Sequence, residues 1–274
     1  MAKERQSRPG GQEGRMDGTF IEINRHTWFY RDVGDGPVLL YVHGNTGSSA
    51  WWERAMELPG YRCVAPDLPN FGRSYPLDGE ISIDAYADAV AGFIRALHIG
   101  PAVAVGHSLG GSVCMSLAAR HPGLLGGLVL VDSSSPKGLV TPETHYPAIE
   151  LMRSNRQILA QALKAVVPSL SDEAWFSRLV DDASKMAAPA WVGNARALAS
   201  FDVSSRLGAW KAAALVIWGR MDLIITEAMA RETAAALPGG RLEIVENVGH
   251  SVMVEDPALF KRLLLTYLAA VAPR

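Results

Sequence analysis

The chain has 274 residues, with 28 acidic and 26 basic side chains and a formal net charge of −2. Hydrophobic residues make up 49% and charged residues 20%, which is typical of a globular protein with one large core or two modest ones. The near-neutral charge gives no electrostatic reason to expect a nucleic-acid partner. The cysteines Cys63 and Cys114 are too few for a disulfide framework or a cysteine zinc site, and we predict two reduced core thiols.

We expect neither a secretory signal nor a membrane anchor at the ends of the chain. Residues 1–17 are charged and rich in glycine without apolar periodicity, and we predict a flexible tail that has no chemistry. The most apolar stretch, Leu263–Ala272, is much shorter than the ~18 residues of a membrane span. These features predict a soluble cytoplasmic protein with no membrane partner.

Short apolar runs separated by turn signals begin at residue 19 and predict strands. The predicted strands are Phe20–Ile23, Thr27–Arg31, Val38–Val42, Arg62–Ala65, Ala102–Val105, Leu128–Val131, Ala213–Trp218 and Leu242–Val245. The predicted helices between them are Ser49–Leu58, Ile83–His98, Leu109–Arg120, Glu227–Leu237 and Pro257–Val271. Continuous apolar strands that alternate with helices indicate an α/β fold, with a mostly parallel central sheet flanked by helices.

One region breaks this alternation. Residues 136–206 contain no buried-strand run, but three helical stretches separated by prolines. These stretches are Ala148–Val167, Asp172–Met186 and Ala190–Leu198. We therefore predict a helical cap at 136–206, inserted into a core formed by residues 18–135 and 207–274.

A glycine-rich turn follows the predicted strand Ala102–Val105. Its sequence from Gly106 to Gly111 is Gly-His-Ser-Leu-Gly-Gly, and a helix is predicted immediately after it. The Gly-x-Ser-x-Gly pattern alone is weak. Between a buried strand and a helix, however, it is typical of a nucleophile elbow, a sharp turn that exposes the serine hydroxyl. The N-terminus of the helix favours developing negative charge, so Ser108 is the candidate nucleophile.

A serine hydroxyl needs a base, and His250 is the candidate among the seven histidines. It lies in the loop after the last strand, where open α/β sheets place their sites. An acid must orient that base. Asp222, which follows another strand, is preferred; Asp132 stays open as a competitor, or as a cap of the loop Ser133–Ser135. The order Ser, Asp, His matches the hydrolase arrangement.

Acyl transfer also needs donors for an oxyanion. One candidate is the backbone N–H of Leu109, directly after the nucleophile. The other is the N–H of Asn45, in the loop His43-Gly44-Asn45 that follows the strand Val38–Val42. The alternative is that the asparagine only shapes a turn.

Aromatic residues near these loops suggest a substrate pocket, although such residues also commonly pack helices onto a sheet. Two of the seven tryptophans, Trp175 and Trp191, fall in the predicted cap together with Phe176, and Trp51 and Trp52 come just after the loop His43-Gly44-Asn45. The pocket candidates are Trp51, Trp52, Trp175, Phe176 and Trp191.

Taken together, the motifs resemble those of the α/β-hydrolase superfamily, in its order and over residues 19–272. The resemblance implies the α/β-hydrolase fold with a cap, and a hydrolytic enzyme that uses no cofactor. The matching segments are His43-Gly44, Asp67-Leu68-Pro69-Asn70-Phe71-Gly72-Arg73-Ser74, Gly106–Gly111, Trp218-Gly219-Arg220-Met221-Asp222 and Gly249-His250.

Differences between these motifs and those of particular branches of the superfamily reduce the number of candidate reactions. Haloalkane dehalogenases and epoxide hydrolases carry an aspartate at the elbow, where this chain has Ser108, so we reject both. The His43-Gly44-Asn45 loop is similar to the dehalogenase version, in which the asparagine contacts halide. Carbon–carbon hydrolases of aromatic ring cleavage usually have Gly-Asn-Ser at the elbow, and often tryptophan after the histidine. Here those positions are His107 and Ser251.

We therefore predict a serine hydrolase of a carboxylic ester or lactone with a small, largely apolar molecule as its substrate. A carbon–carbon hydrolase acting on vinylogous diketones is the runner-up. An acyltransferase and a non-catalytic ligand receptor on the same scaffold are further alternatives. The sequence predicts no oligomeric state.

Overall fold

The computed structural model describes residues 18–271. Eight strands form its central sheet, which confirms the predicted fold class. The strands are β1 (Thr19–Ile23), β2 (His26–Val33), β3 (Val38–Val42), β4 (Arg62–Pro66), β5 (Ala102–His107), β6 (Leu125–Val131), β7 (Ala214–Gly219) and β8 (Arg241–Val245). The predicted tail 1–17 lies outside the described residues.

The sheet order is β1-β2-β4-β3-β5-β6-β7-β8. β2 pairs antiparallel with β1 and β4, while the other neighbours pair in parallel. The carboxyl ends of β3, β5, β6, β7 and β8 therefore meet at one edge of the sheet. Every residue of β7 is buried, as the continuous apolar run predicted for a strand covered on both faces.

Ten α-helices connect or cover these strands in the described part of the chain. They are α1 (Ile83–Leu97), α2 (Leu109–Arg120), α3 (Tyr146–Ser154), α4 (Arg156–Val166), α5 (Glu173–Ala183), α6 (Ala190–Ala199), α7 (Ser204–Leu207), α8 (Glu227–Ala236), α9 (Val252–Glu255) and α10 (Pro257–Val271). Helices α3 to α7 all lie between β6 and β7, as the predicted insertion at 136–206 requires. The division into core and cap domains stays a prediction.

Two helix predictions were wrong in detail. In place of the predicted helix Ser49–Leu58 there is only a 3-10 turn, Ser49–Trp52. The following apolar residues Ala55 and Met56 are fully buried, so packing overrides the helical pattern. The predicted helix Ala148–Val167 is two helices, because Asn155 adopts an extended conformation and its side chain accepts hydrogen bonds from the first backbone N–H groups of α4.

Two findings concern the predictions from composition. Cys63 and Cys114 are both free and buried, which confirms the two core thiols. Within residues 18–271 no helix is long and apolar enough to cross a membrane. The cytoplasmic location stays a prediction.

Candidate active site

Ser108 stands on a strained turn between β5 and α2. Its backbone has φ 52° and ψ −119°, a region that non-glycine residues rarely occupy and that tends to occur at functional sites. The turn is held by the Ser108 N–H, which donates to the carbonyl of Val131 at 3.0 Å. Leu109 is the first residue of α2, so its N–H has no partner within the helix. The turn therefore presents the Ser108 hydroxyl beside the N-terminus of α2.

Close backbone approach explains two glycines of this site. A Cβ at Gly110 would lie 2.3 Å from the carbonyl oxygen of Val42 and 2.4 Å from that of His43. A Cβ at Gly44 would lie 2.7 Å from Nδ1 of His107 and 2.9 Å from Cβ of Ser108. The loop His43-Gly44-Asn45 after β3 therefore packs directly against the elbow, and only a residue without a side chain fits at Gly44 or Gly110.

Asp222 and His250, which are 28 residues apart, meet at the carboxyl edge of the sheet. The Nδ1 of His250 and the Oδ2 of Asp222 are 2.7 Å apart, and their side chains are only 5% and 0% exposed. The other carboxylate oxygen, Oδ1, accepts from the N–H of Ile224 at 2.7 Å and of Ile225 at 3.0 Å. Because Nδ1 faces the carboxylate, Nε2 is the ring nitrogen left to exchange a proton with a nucleophile.

The backbone around His250 is held by the elbow and by the helical insertion. His107 Nε2 lies 2.7 Å from the His250 carbonyl oxygen; a carbonyl only accepts, so this nitrogen carries the proton. The His250 N–H donates to the carbonyl of Val166 in α4 at 2.9 Å. Burial, with a smaller contribution from His250, lowers the pKa of His107 well below its ordinary value. The His107 ring therefore stays neutral beside His250.

Glu255 in α9 also holds this loop. Its Oε1 accepts from the N–H of Gly249 at 2.8 Å and of Ser251 at 3.3 Å. Its Oε2 accepts from the N–H and hydroxyl of Ser169, at 3.0 Å and 2.6 Å. One carboxylate thus binds both residues that flank His250 and joins them to the insertion.

A series of hydrogen-bonded polar side chains connects α6 to Asn45 in the loop after β3. Asn194, which is fully buried, donates from Nδ2 to the Oδ1 of Asn45 at 2.8 Å. Its own Oδ1 accepts from the hydroxyl of Tyr86 at 2.9 Å, and that hydroxyl accepts from Nδ2 of Asn70 at 3.0 Å. The orientation of the Asn45 amide is therefore set by a residue 149 positions away.

Asp132 is the acid that competes with Asp222 for the role of orienting His250. It follows β6 directly, is 1% exposed, and its Oδ1 accepts from the N–H of Gly219 at 2.8 Å. The carboxylate bound to His250 Nδ1 is that of Asp222. The suggestion that Asp132 caps the loop Ser133–Ser135 was wrong, because its hydrogen bond crosses to β7.

Comparison with known proteins places this arrangement in a family. A family model described as "Alpha/beta hydrolase family" matches residues 39–263, which include the elbow and the loops of Asp222 and His250. The chain belongs to the alpha/beta hydrolase family. It is therefore a hydrolase enzyme, and the family resemblance predicted from its motifs is confirmed.

Relatives of this α/β hydrolase cleave different bonds. It is 30% identical to 2-hydroxymuconate semialdehyde hydrolase of Pseudomonas sp. (strain CF600), over 91% of each chain. The esterase EaEST from Exiguobacterium antarcticum matches its fold with a TM-score of 0.82 at 20% identity, over 92% of this chain and 100% of the esterase. The enol-lactonase from Burkholderia xenovorans LB400 gives a TM-score of 0.81 at 23% identity, over 92% and 100%. The two structural matches establish the fold alone.

The predicted pocket aromatics occupy different places in the hydrolase, and none is more than 8% exposed. The rings of Trp51 and His107 are stacked, with their centroids 6.0 Å apart and their planes inclined by 19°. Trp51 therefore lies beside the elbow. The guanidinium carbon of Arg54 lies 3.9 Å from the centre of the Trp175 ring. Trp175 also lines a charged cleft of about 530 Å³. The lining of this cleft includes neither Ser108 nor His250. Phe176 lies 5.2 Å from the ammonium of Lys164.

Trp52 and Trp191 are buried and make packing contacts, and a place in the pocket stays a prediction for both. Trp52 contacts the rings of Tyr41, His107 and Phe260 and has no exposed surface. Trp191 donates from its indole N–H to the Met186 carbonyl at 3.2 Å within the insertion. Trp51 thus stays the best-supported pocket prediction.

Sequence reasoning missed Glu255 and Asn194. Both act on residues that are distant in sequence or reached through backbone N–H groups, and no local motif marks either of them. His107 is not the base chosen among the seven histidines, and in the structure its ring binds the His250 backbone.

We expect Glu255→Ala to lower the turnover number of the hydrolase by about 10- to 100-fold. The substitution removes an ionic acceptor from the two N–H groups that flank His250, and charged hydrogen bonds of this kind are worth about 1.5–3 kcal/mol. Steady-state kinetics measure the effect. Glu246→Ala, which removes a surface ion pair with Arg220, is the matched control. Equal turnover in the two variants would contradict the role of Glu255.

We expect Asn194→Ala to lower kcat/KM by about tenfold, because the Asn45 side chain loses the donor that orients it and the Tyr86 hydroxyl loses its acceptor. The comparison is with Arg196→Ala on the same helix, measured with the same substrate. An unchanged kcat/KM in Asn194→Ala would mean that the orientation of Asn45 is set elsewhere.

Proposed function

We propose that the protein is a serine hydrolase that cleaves a carboxylic ester or lactone of a small, largely apolar substrate through an acyl-enzyme intermediate. The observation that supports this most is the strained Ser108 at the N-terminus of α2 together with the 2.7 Å contact of His250 and Asp222. Nucleophile, base and acid come from the ends of three parallel strands that share an edge. The reaction proposed needs no cofactor.

In the acylation step, His250 Nε2 takes the proton of the Ser108 hydroxyl while Oγ forms a bond to the carbonyl carbon. The carbonyl oxygen becomes an oxyanion that accepts hydrogen bonds from the N–H groups of Leu109 and Asn45. When the intermediate collapses, the carbon–oxygen bond of the ester breaks, and His250 gives its proton to the leaving alcohol. In a lactone the alcohol stays attached to the acyl group.

In the deacylation step, His250 removes a proton from water, whose oxygen attacks the acyl carbon. The second oxyanion occupies the same donors, and collapse returns the proton to Ser108 and releases the acid. Asp222 keeps Nδ1 protonated throughout and offsets the imidazolium charge.

The loop of Asp222 supports an apolar substrate. Three large apolar side chains flank the acid and are exposed, Met221 by 46%, Leu223 by 79% and Ile224 by 39%. Exposed apolar groups beside a reactive site favour contact with apolar ligands. The near-neutral net charge of −2 adds no long-range field to select ions.

A second candidate is hydrolysis of a carbon–carbon bond in a vinylogous diketone. It is supported by the 30% identity to 2-hydroxymuconate semialdehyde hydrolase. His107 at the elbow, where these hydrolases usually have asparagine, makes it the weaker of the two.

Covalent labelling and a substrate panel test the proposal. A fluorophosphonate probe should label the wild type, and mass spectrometry should locate the adduct on Ser108. Labelling that survives in Ser108→Ala would overturn the assignment. Nitrophenyl esters, lactones and vinylogous diketones then separate the two reactions by which panel members turn over.

Two other outcomes distinguish the remaining alternatives. Formation of a new ester or amide when an alcohol or amine is added would identify an acyltransferase. Slow hydrolysis of every substrate in the panel, with intact labelling, would indicate a ligand receptor on the hydrolase scaffold.

A further inference from the structure

A buried carboxyl group, that of Asp132, lies outside the proposed triad. Asp132 lies at the end of β6 with φ 45°, in the left-handed region. Its Oδ1 accepts from Gly219 at 2.8 Å, whereas Oδ2 has no donor facing it among the described residues. The carboxyl of Asp222, in the loop that follows Gly219, acts on Asp132 both by its charge and by a side-chain hydrogen bond. Two carboxyl groups share a hydrogen bond only when one of them carries a proton.

The donors around the pair decide which group is ionised. Asp222 accepts from two backbone N–H groups and from His250 Nδ1, while Asp132 accepts from one. Hydrogen bonds to a carboxylate favour its charged form, and an adjacent like charge disfavours a second ionisation. Burial and, after it, the charge of Asp222 raise the pKa of Asp132 well above its ordinary value, and Glu255 adds to the rise. The negative charge therefore belongs to Asp222 and the proton to Asp132.

We propose that Asp132 is a positioning residue, a neutral carboxylic acid that donates its Oδ2 proton to the carboxylate of Asp222. This role rests on the proposed function, since it matters for catalysis only if Asp222 is the triad acid. With the donation, Asp222 is held from Ile224, Ile225, His250 and Asp132, and its Oδ2 is directed at Nδ1 of His250. The Gly219 N–H fixes the other oxygen of Asp132, which keeps the acidic proton on the side of Asp222.

Two substitutions at one position separate this role from a structural one. In Asp132→Asn, the introduced amide still accepts from Gly219 through its oxygen and donates to Asp222 through its NH₂, so it has the hydrogen-bonding pattern of the neutral acid. In Asp132→Gly, the backbone conformation is easily kept, but both hydrogen bonds are lost. Asparagine also tolerates the positive φ.

We expect the rate of Ser108 labelling by a fluorophosphonate to stay within about threefold of wild type in Asp132→Asn. In Asp132→Gly we expect a loss of about 10- to 100-fold. An equally large loss in both variants would overturn the proposal, because it would mean that an ionised Asp132 is required. No loss in either variant would overturn it as well, because Asp132 would then position nothing.

Infrared spectroscopy tests the proton directly and needs no activity. The difference spectrum of wild type minus Asp132→Asn at neutral pH should contain the carbonyl stretch of a protonated carboxylic acid. A difference spectrum with only carboxylate bands would overturn the proposal. If the protein failed every hydrolysis and labelling assay while the acid band was present, the proposed function would fail and the protonated pair would stand.

Discussion

Replacing Ser108 by alanine should lower kcat by about 10⁶-fold, the size of effect seen when a serine nucleophile is removed from a working triad. Alanine keeps the Cβ, and the elbow is held by backbone contacts such as the hydrogen bond from the Ser108 N–H to the carbonyl of Val131, so the turn should be preserved. Binding should persist, so the loss should appear in kcat far more than in KM.

The measurement is steady-state hydrolysis of the best ester or lactone from the panel. Ser154→Ala, at the exposed end of α3, removes a serine hydroxyl without touching the site and should match the wild type. Thermal unfolding of both variants checks that the fold is kept. Turnover of Ser108→Ala within a hundredfold of wild type would point to a different nucleophile.

Replacing Asp222 by asparagine should lower kcat by about 10⁴-fold. The introduced amide has nearly the same shape, and its oxygen can still accept from Ile224 and Ile225. Its NH₂ group, however, would face Nδ1 of His250, now 2.7 Å from a carboxylate oxygen. A donor at that place favours the tautomer with the proton on Nε2, which leaves no base for the serine hydroxyl.

Asp78→Asn is the matched control, because its carboxylate is 84% exposed and forms a surface ion pair with His26, far from the proposed triad in the sequence. We expect it to keep wild-type turnover. A 10⁴-fold loss in Asp132→Asn together with an active Asp222→Asn would show that the acid role belongs to Asp132.

Asp132 and Asp222 show which properties of the site could be predicted from the sequence. Both follow predicted buried strands, and both loops reach the same edge of the sheet, so their positions in the chain predicted the same placement for each. The difference lies in side-chain direction: Asp222 turns its Oδ2 to His250, while Asp132 turns its Oδ1 to Gly219 on the neighbouring strand. Side-chain direction in a loop depends on hydrogen bonds between distant residues, which no local pattern encodes.

The aromatic residues follow the same rule. Their enrichment near the site loops suggested a pocket, and in the structure all five candidates, including Trp52 and Trp191, are buried. An aromatic ring on a helix has the same sequence signature whether its face meets a substrate or another side chain. The contacts made by the inserted segment, from Val166 to His250 and from Ser169 to Glu255, join residues far apart in the chain and could not be predicted from the sequence either.

The composition and the near-neutral net charge predicted a globular chain without a nucleic-acid partner. The alternation of strands and helices, the helices inserted after β6 and the sharp turn at Ser108 could all be predicted from the amino-acid sequence. These features depend on residues close together in the chain, whose periodicity and glycine spacing follow from backbone geometry. The contact of Asp222 with His250, and the hydrogen bonds that Glu255 and Asn194 make to the site loops, could be seen only in the folded protein. These contacts join residues on separate elements, and their geometry is set by how the sheet edge and the inserted helices pack.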